Sequence, residues 1–99
     1  MSTVDILVKA IEEKKSVDFG YHGFERVVSP YAVGLNNANE IKLLAFQTEG
    51  GSNSGVTRKL RFYTVNELLA PTLSDAPYEA PTADVEPALK EFMKFYAKF

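Results

Sequence analysis

Glu40-Ile41-Lys42-Leu43-Leu44-Ala45-Phe46-Gln47-Thr48 is the most continuously apolar run in the middle of this chain. Leu43 to Phe46 are apolar in succession, and the run is closed by Gln47-Thr48 and then by Gly50-Gly51. A short, bounded run of this kind is what a strand buried on both faces shows, so it reads as the central strand of a small sheet.

Working outward, Val17, Phe19 and Tyr21 alternate with Ser16, Asp18 and Gly20, the period of two of a half-buried strand. Tyr21-His22-Gly23-Phe24 offers a reversal, with glycine free to take a positive φ. A longer β-prone segment then runs from Glu25 to Leu35, and Pro30 inside it cannot donate to a ladder. That strand should therefore bend, bulge or lie at an edge there. Asn36-Asn37-Ala38-Asn39 is a turn into the central strand, because Asn tolerates left-handed backbone and caps its own chain. Beyond it, Glu49 to Gly55 reads as a flexible hairpin tip, and Val56 to Tyr63 as the next strand.

The flanks read as helical. Ser2-x-x-Asp5 is a helix start, and Val4, Leu7, Val8 and Ile11 repeat at the spacing of an amphipathic helix ending near Lys14-Lys15. Thr64-Val65-Asn66-Glu67 has capping-box spacing and predicts a single helical turn carrying Leu68-Leu69, stopped by Pro71. Residues 71–83, with Pro71, Pro77 and Pro81, predict an extended connector. From Asp84, with Pro87 tolerated in the first turn, Val85, Leu89, Phe92, Tyr96 and Phe99 step by four and three, which predicts an amphipathic helix over 84–99.

The fold class expected is α+β, mainly β: a small bent antiparallel sheet closing into an SH3-like or Sm-like barrel, with an N-terminal helix and a C-terminal amphipathic helix. Residues 1–70 hold the first helix and the sheet, 71–83 the connector, and 84–99 a helix packed on the same domain or on a partner. With 99 residues the chain holds one core. It has no cysteine, which excludes a disulfide framework, a thiolate metal site and a cysteine nucleophile. A lone histidine, His22, with no HxH or HxxxH partner excludes a zinc site of the usual kind, and no cofactor motif is present. No apolar run approaches the roughly 20 residues of a membrane span, so a cytoplasmic protein without membrane contact is expected.

Ala10-Ile11 with Lys14-Lys15, then Val17-Asp18-Phe19-Gly20-Tyr21, Arg26-Val27-Val28-Ser29-Pro30-Tyr31-Ala32-Val33, Ile41 to Phe46, and Arg58-Lys59-Leu60-Arg61-Phe62-Tyr63-Thr64-Val65 together resemble the WYL domain, a small barrel named for a Trp-Tyr-Leu triplet. Ile41 and Lys42 stand where the triplet has Trp and Tyr, Leu43 agrees, and Tyr63-Thr64 stands where Asp-Arg is usual. The short first helix supplies no helix-turn-helix. The resemblance implies a non-enzymatic regulatory module that senses ligand or nucleic acid, of prokaryotic or phage origin.

Net charge is -2, but Arg58, Lys59 and Arg61 cluster, while no Lys or Arg falls between Phe62 and Leu89. The candidate site is this basic strand: Lys59 and Arg61 for phosphate, Tyr63 for stacking a base, with Arg58, Arg26, Tyr31 and Tyr21 beside them. The competing reading of the same pattern is a charged edge strand kept soluble. His22 is read as a turn residue, or as a general base oriented by Asp18 or Glu25. No catalytic residue is assigned. The second functional class is protein association, as a homo-oligomer or adaptor, through Leu89, Phe92, Phe95, Tyr96 and Phe99.

Overall fold

The longest strand, β2 (Phe24–Asn36), is the hub of the structure, a computed structural model that describes residues 2–51 and 58–99. One side of β2 pairs antiparallel with β3 (Ile41–Gly50); the other side pairs with β1 (Ser16–Tyr21) over its first half and with β6 (Phe92–Lys98) over its second. It serves three neighbours because the register shifts between Pro30 and Ala32, so that Tyr31 bulges where the proline leaves the ladder. The remaining strands are β4 (Lys59–Thr64), paired with β3, and β5 (Leu69–Ser74), paired with β1. The order is β4-β3-β2-β1-β5 with β6 on β2, and β4 does not pair with β5. Among the described residues the sheet is bent but open at both ends, and it does not close into the expected barrel.

Helix α1 (Thr3–Glu13) begins at Ser2, where the Asp5 N–H donates to Ser2 Oγ and the Ser2 N–H donates to Asp5 Oδ2. It ends on Lys14 in the left-handed conformation. Leu7, Ala10 and Ile11 of α1 cover Val17, Phe19, Val28, Leu43, Ala45 and Tyr63 on one face of the sheet. On the opposite face Tyr31, Ala32 and Leu44 meet Val85, Leu89 and Phe92. Consecutive residues of β3, Leu43 and Leu44, thus enter different cores, which is why the run around them is apolar without alternation.

The start of the expected strand at Val56-Thr57 and the tip of the loop before it lie outside the described residues. The helical turn after β4 spans only Val65–Glu67 as a 3-10 turn, without a capping side chain on Thr64. Pro71 does not stop a helix: residues 71–74 belong to β5, where the register against β1 shifts between Asp18 and Gly20, and Ala70 has φ 49. The proline thus sits at an irregularity on an outer strand, where its missing N–H costs no ladder bond. Residues 75–84 form the true connector, a strap across the second core. Tyr31 Oη donates to Glu79 O (2.9 Å), Tyr78 Oη to Pro30 O (3.1 Å) and the Glu79 N–H to Ser29 Oγ (2.9 Å).

The largest departure is at the C-terminus. The helix expected over 84–99 is only α2 (Val85–Leu89), and Phe92–Lys98 form a strand. The register shifts twice against β2, leaving Met93 and Tyr96 as extra residues, so Phe92, Phe95 and Lys98 lie opposite Asn36, Gly34 and Ala32 on one face. Same-face residues that recur every three positions imitate a helical period, although each is a strand residue separated by a bulge. Among the described residues no helix is long and apolar enough to cross a membrane.

Gly34 sits where β6 crosses β2. A Cβ there would lie 2.0 Å from the Lys94 carbonyl oxygen and 2.9 Å from Phe95 Cα, both backbone atoms that cannot swing aside. Gly34→Ala is expected to destabilise the fold by about 2–3 kcal/mol, read as a lower urea midpoint, while Gly23→Ala, with no atom of the fold within 4 Å of its added Cβ, costs only the strain of φ +85. Equal effects of the two substitutions would contradict this packing.

Candidate functional site

Alternation puts Lys59, Arg61 and Tyr63 on the α1 side of β4, where they lie opposite Gln47, Ala45 and Leu43 of β3. Arg26 arrives on the same side from β2, two residues before Val28, whose partner on β3 is Gln47. Gln47 is fully buried, and it organises this end of the core. Its Oε1 accepts from Tyr63 Oη (3.0 Å) and from Arg26 Nη1 (3.3 Å), and its Nε2 donates to Gly51 O (3.1 Å).

Arg26 is only 3% exposed. Its Nε donates to Tyr21 O (3.3 Å), and its guanidinium carbon lies 5.2 Å from the Tyr21 ring centroid, 5.7 Å from Phe24 and 5.9 Å from Tyr63. Among the described residues the carboxylates in ion pairs are Glu13, Glu67 and Glu79, with Lys15, His22 and Arg58 respectively; none pairs with Arg26. An internal cation is therefore held by ring faces, a carbonyl and an amide oxygen in place of a counterion. Burial pushes the Tyr63 phenol up to about 12, although the positive charges of Arg26 and Arg61 pull it the other way.

The expected site residues are divided between the two faces. Arg26, Lys59, Arg61, Tyr21 and Tyr63 share the α1 side, Lys59 exposed and Arg61 half-buried. Tyr63 and Tyr21 do not offer ring faces for stacking, because Tyr63 is fully buried and Tyr21 only 9% exposed, its Oη accepting from the Thr64 N–H (3.1 Å). Tyr31 is on the opposite side, buried under the strap, its phenol raised to about 12 by burial first and by Tyr78 and Glu79 next. Arg58 is also on that side: it pairs with Glu79 of the strap and lies 5.3 Å over the Phe46 ring. Arg58 and Glu79 stand between two open hollows of about 280 and 200 Å³.

His22 has neither Asp18 nor Glu25 as its partner. Its Nε2 meets Glu67 Oε1 at 2.5 Å and its ring stacks on Tyr21 at 4.0 Å, so it ties the first hairpin to the 3-10 turn. No group of acids and histidine that could hold a metal ion occurs among the described residues. Of the expected partner-facing residues, Leu89 and Phe92 are buried in the second core, whereas Phe95, Tyr96 and Phe99 remain 37%, 40% and 39% exposed.

Sequence reasoning passed over Gln47, whose signal was a polar residue closing an apolar run, and Phe62, which lies on the outer side of β4 near Phe92 (centroids 5.8 Å). No family model matches the chain, and no curated protein or solved structure is significantly similar to it.

Gln47→Leu removes the acceptor of Tyr63 and Arg26 together and is expected to cost about 2–4 kcal/mol in urea unfolding, whereas Tyr63→Phe, which removes one hydroxyl, costs about 1 kcal/mol. The reverse order would show that Gln47 is not the centre of the network. Tyr31 and Tyr63, the phenols raised to about 12, also set a pH dependence. Their neutral forms are favoured in the folded state, so their contribution is complete below the unfolded value near 10 and is lost as pH rises toward about 12. Ultraviolet titration of the wild type is expected to show delayed phenolate formation that shrinks in Tyr31→Phe/Tyr63→Phe to the part contributed by Tyr78, which burial also raises.

Proposed function

We propose that the chain is a non-enzymatic regulatory binding module whose cationic end recognises a phosphate-bearing ligand, a nucleotide or a single-stranded nucleic acid. The observation that carries this reading is the buried guanidinium of Arg26, with no carboxylate paired to it among the described residues, on the side of the sheet that also carries Lys59 and Arg61. A phosphate supplies the missing negative charge, and exposed Lys59 on the same side of β4 gives it a further donor. Arg26 acts as a positioning residue, held by Tyr21, Phe24 and Tyr63, and the contacts with ligand belong to Lys59 and Arg61. The tyrosines named for stacking thus serve by fixing the cation.

The resemblance of the sequence to the WYL domain supports this reading. A second reading is protein association through the C-terminal aromatic residues, favoured by the exposure of Met93, Phe95, Tyr96 and Phe99 on β6 and just after it.

Lys59→Ala/Arg61→Ala is expected to weaken binding of a nucleotide or labelled single strand by more than about tenfold and to flatten its salt dependence, with the thermal unfolding curve unchanged. Unchanged affinity in a folded double variant rejects the cationic end as the site. A mass above monomer in light scattering, with no salt-dependent binding of any phosphate ligand, selects the association reading instead.

A further inference from the structure

The side of the sheet away from α1 is not evenly covered. The strap and α2 lie over Tyr31, Leu44 and Phe46, but the region where β4, β3 and the start of β6 come together keeps large rings at the surface. Phe62, Phe92 and Phe95 form a continuous row there, with centroids 5.8 and 5.0 Å apart. Phe92 is the buried middle of the row, while Phe62 and Phe95 are 39% and 37% exposed.

Cations bracket this row. Lys98 reaches over the Phe95 ring, its Nζ 5.3 Å from the centroid. Lys42, on the same face through its pairing opposite Gly34 and Thr64, donates from Nζ to Thr64 Oγ1 (2.8 Å), which leaves the ammonium two further protons. Lys42 also lines an open hollow of about 160 Å³ with Phe62, Phe92, Asn36 and Glu91. A void of about 150 Å³ is known to hold a benzene ring, so this one has room for a single aromatic ring set against Phe62.

We infer that this aromatic row is a stacking surface for single-stranded nucleic acid, with one base seated in the hollow against Phe62, a second taking the place of the Lys98 ammonium over Phe95, and the phosphates on Lys42 and the displaced Lys98. Ring faces take any base, and flanking ammonium groups track a polyanion, the combination that sequence-tolerant single-strand binding requires. Glu91 at the rim of the hollow is an acceptor for the exocyclic amine of a seated base. A second copy of the chain fits this surface less well, because a two-fold contact would bring Lys42 and Lys98 of one copy toward those of the other. A duplex hides its base faces and has nothing to offer the rings.

The surface lies on the opposite side of the sheet from Lys59 and Arg61, so it stands or falls separately from the cationic end. Fluorescence anisotropy with a labelled single-stranded oligodeoxynucleotide of mixed sequence tests it, with the matching duplex as control and both at two salt concentrations. Phe62→Leu and Phe95→Leu keep apolar volume while removing the ring, and each is expected to weaken single-strand binding roughly tenfold. Lys98→Gln is expected to lower the salt slope by about one. Amide shifts on adding the oligonucleotide to the wild type, which need no variant, are expected at Lys42, Phe62, Phe95 and Lys98.

Wild-type affinity in both leucine variants overturns the inference, as does equal affinity for the duplex. Binding lost in Lys59→Ala/Arg61→Ala alone overturns it too while leaving the proposed function standing. The reverse pattern sinks the cationic end and keeps the row. A dimer that dissociates on Phe95→Leu, without oligonucleotide binding, assigns the row to a second copy and rejects nucleic acid there.

Discussion

Everything in this fold depends on one strand changing direction in mid-course. At Pro30 the β2 ladder loses a donor, and Tyr31 takes up the slack as a bulge, so the second half of the strand turns away from β1 and becomes available to β6. Without that bend β2 would have one neighbour along each side, and the C-terminal strand would have nowhere to dock. The bulged residue is also put to use: Tyr31 faces the second core, and its hydroxyl holds the strap that crosses it. One local defect thus sets both the outline of the sheet and the path of the chain that covers its far face.

The same bend separates two kinds of aromatic residue. On the α1 side Tyr21 and Tyr63 are buried and, with the more exposed Phe24, surround a guanidinium. On the other side Phe62 and Phe95 are left at the surface next to lysine. Aromatic and basic residues that look alike in the sequence therefore do different work. Those around Arg26 are engaged with one another, and those along the Phe62 to Phe95 row face outward.

Much of the sheet was legible because it obeys simple periodicities. The run around Leu43 and Leu44 reads as doubly buried, Val17 to Tyr21 as alternating, Pro30 as the place of a bend, and Ser2 with Asp5 as a helix start; each is a local rule met locally. The C-terminal strand was not legible, for a specific reason: bulges at Met93 and Tyr96 stretch its period from two to three, and aromatic side chains at that spacing read as a helical seam. β5 was concealed by Pro71, which is harmless only because it falls on an outer strand at an irregularity. The candidate site was legible in part. Strand alternation correctly placed Lys59, Arg61 and Tyr63 on one face, but it carries no information on depth, and depth decides that Tyr63 is core. Gln47, by contrast, matters through partners distant in sequence, Arg26 and Tyr63, which no local pattern reveals.

The pairing of β6 with the middle of the chain has a kinetic corollary. Ala32 finds its neighbour at Lys98, and Leu43 and Leu44 belong to cores completed by α1 at one terminus and by α2 and Phe92 near the other. Few of these contacts are rewarded until distant segments have met, so loop-closure entropy falls early and stabilisation late. Assembly should accordingly be slow for so small a chain and all-or-none in character, with the two cores, joined through adjacent residues of one strand, forming and melting as a single unit.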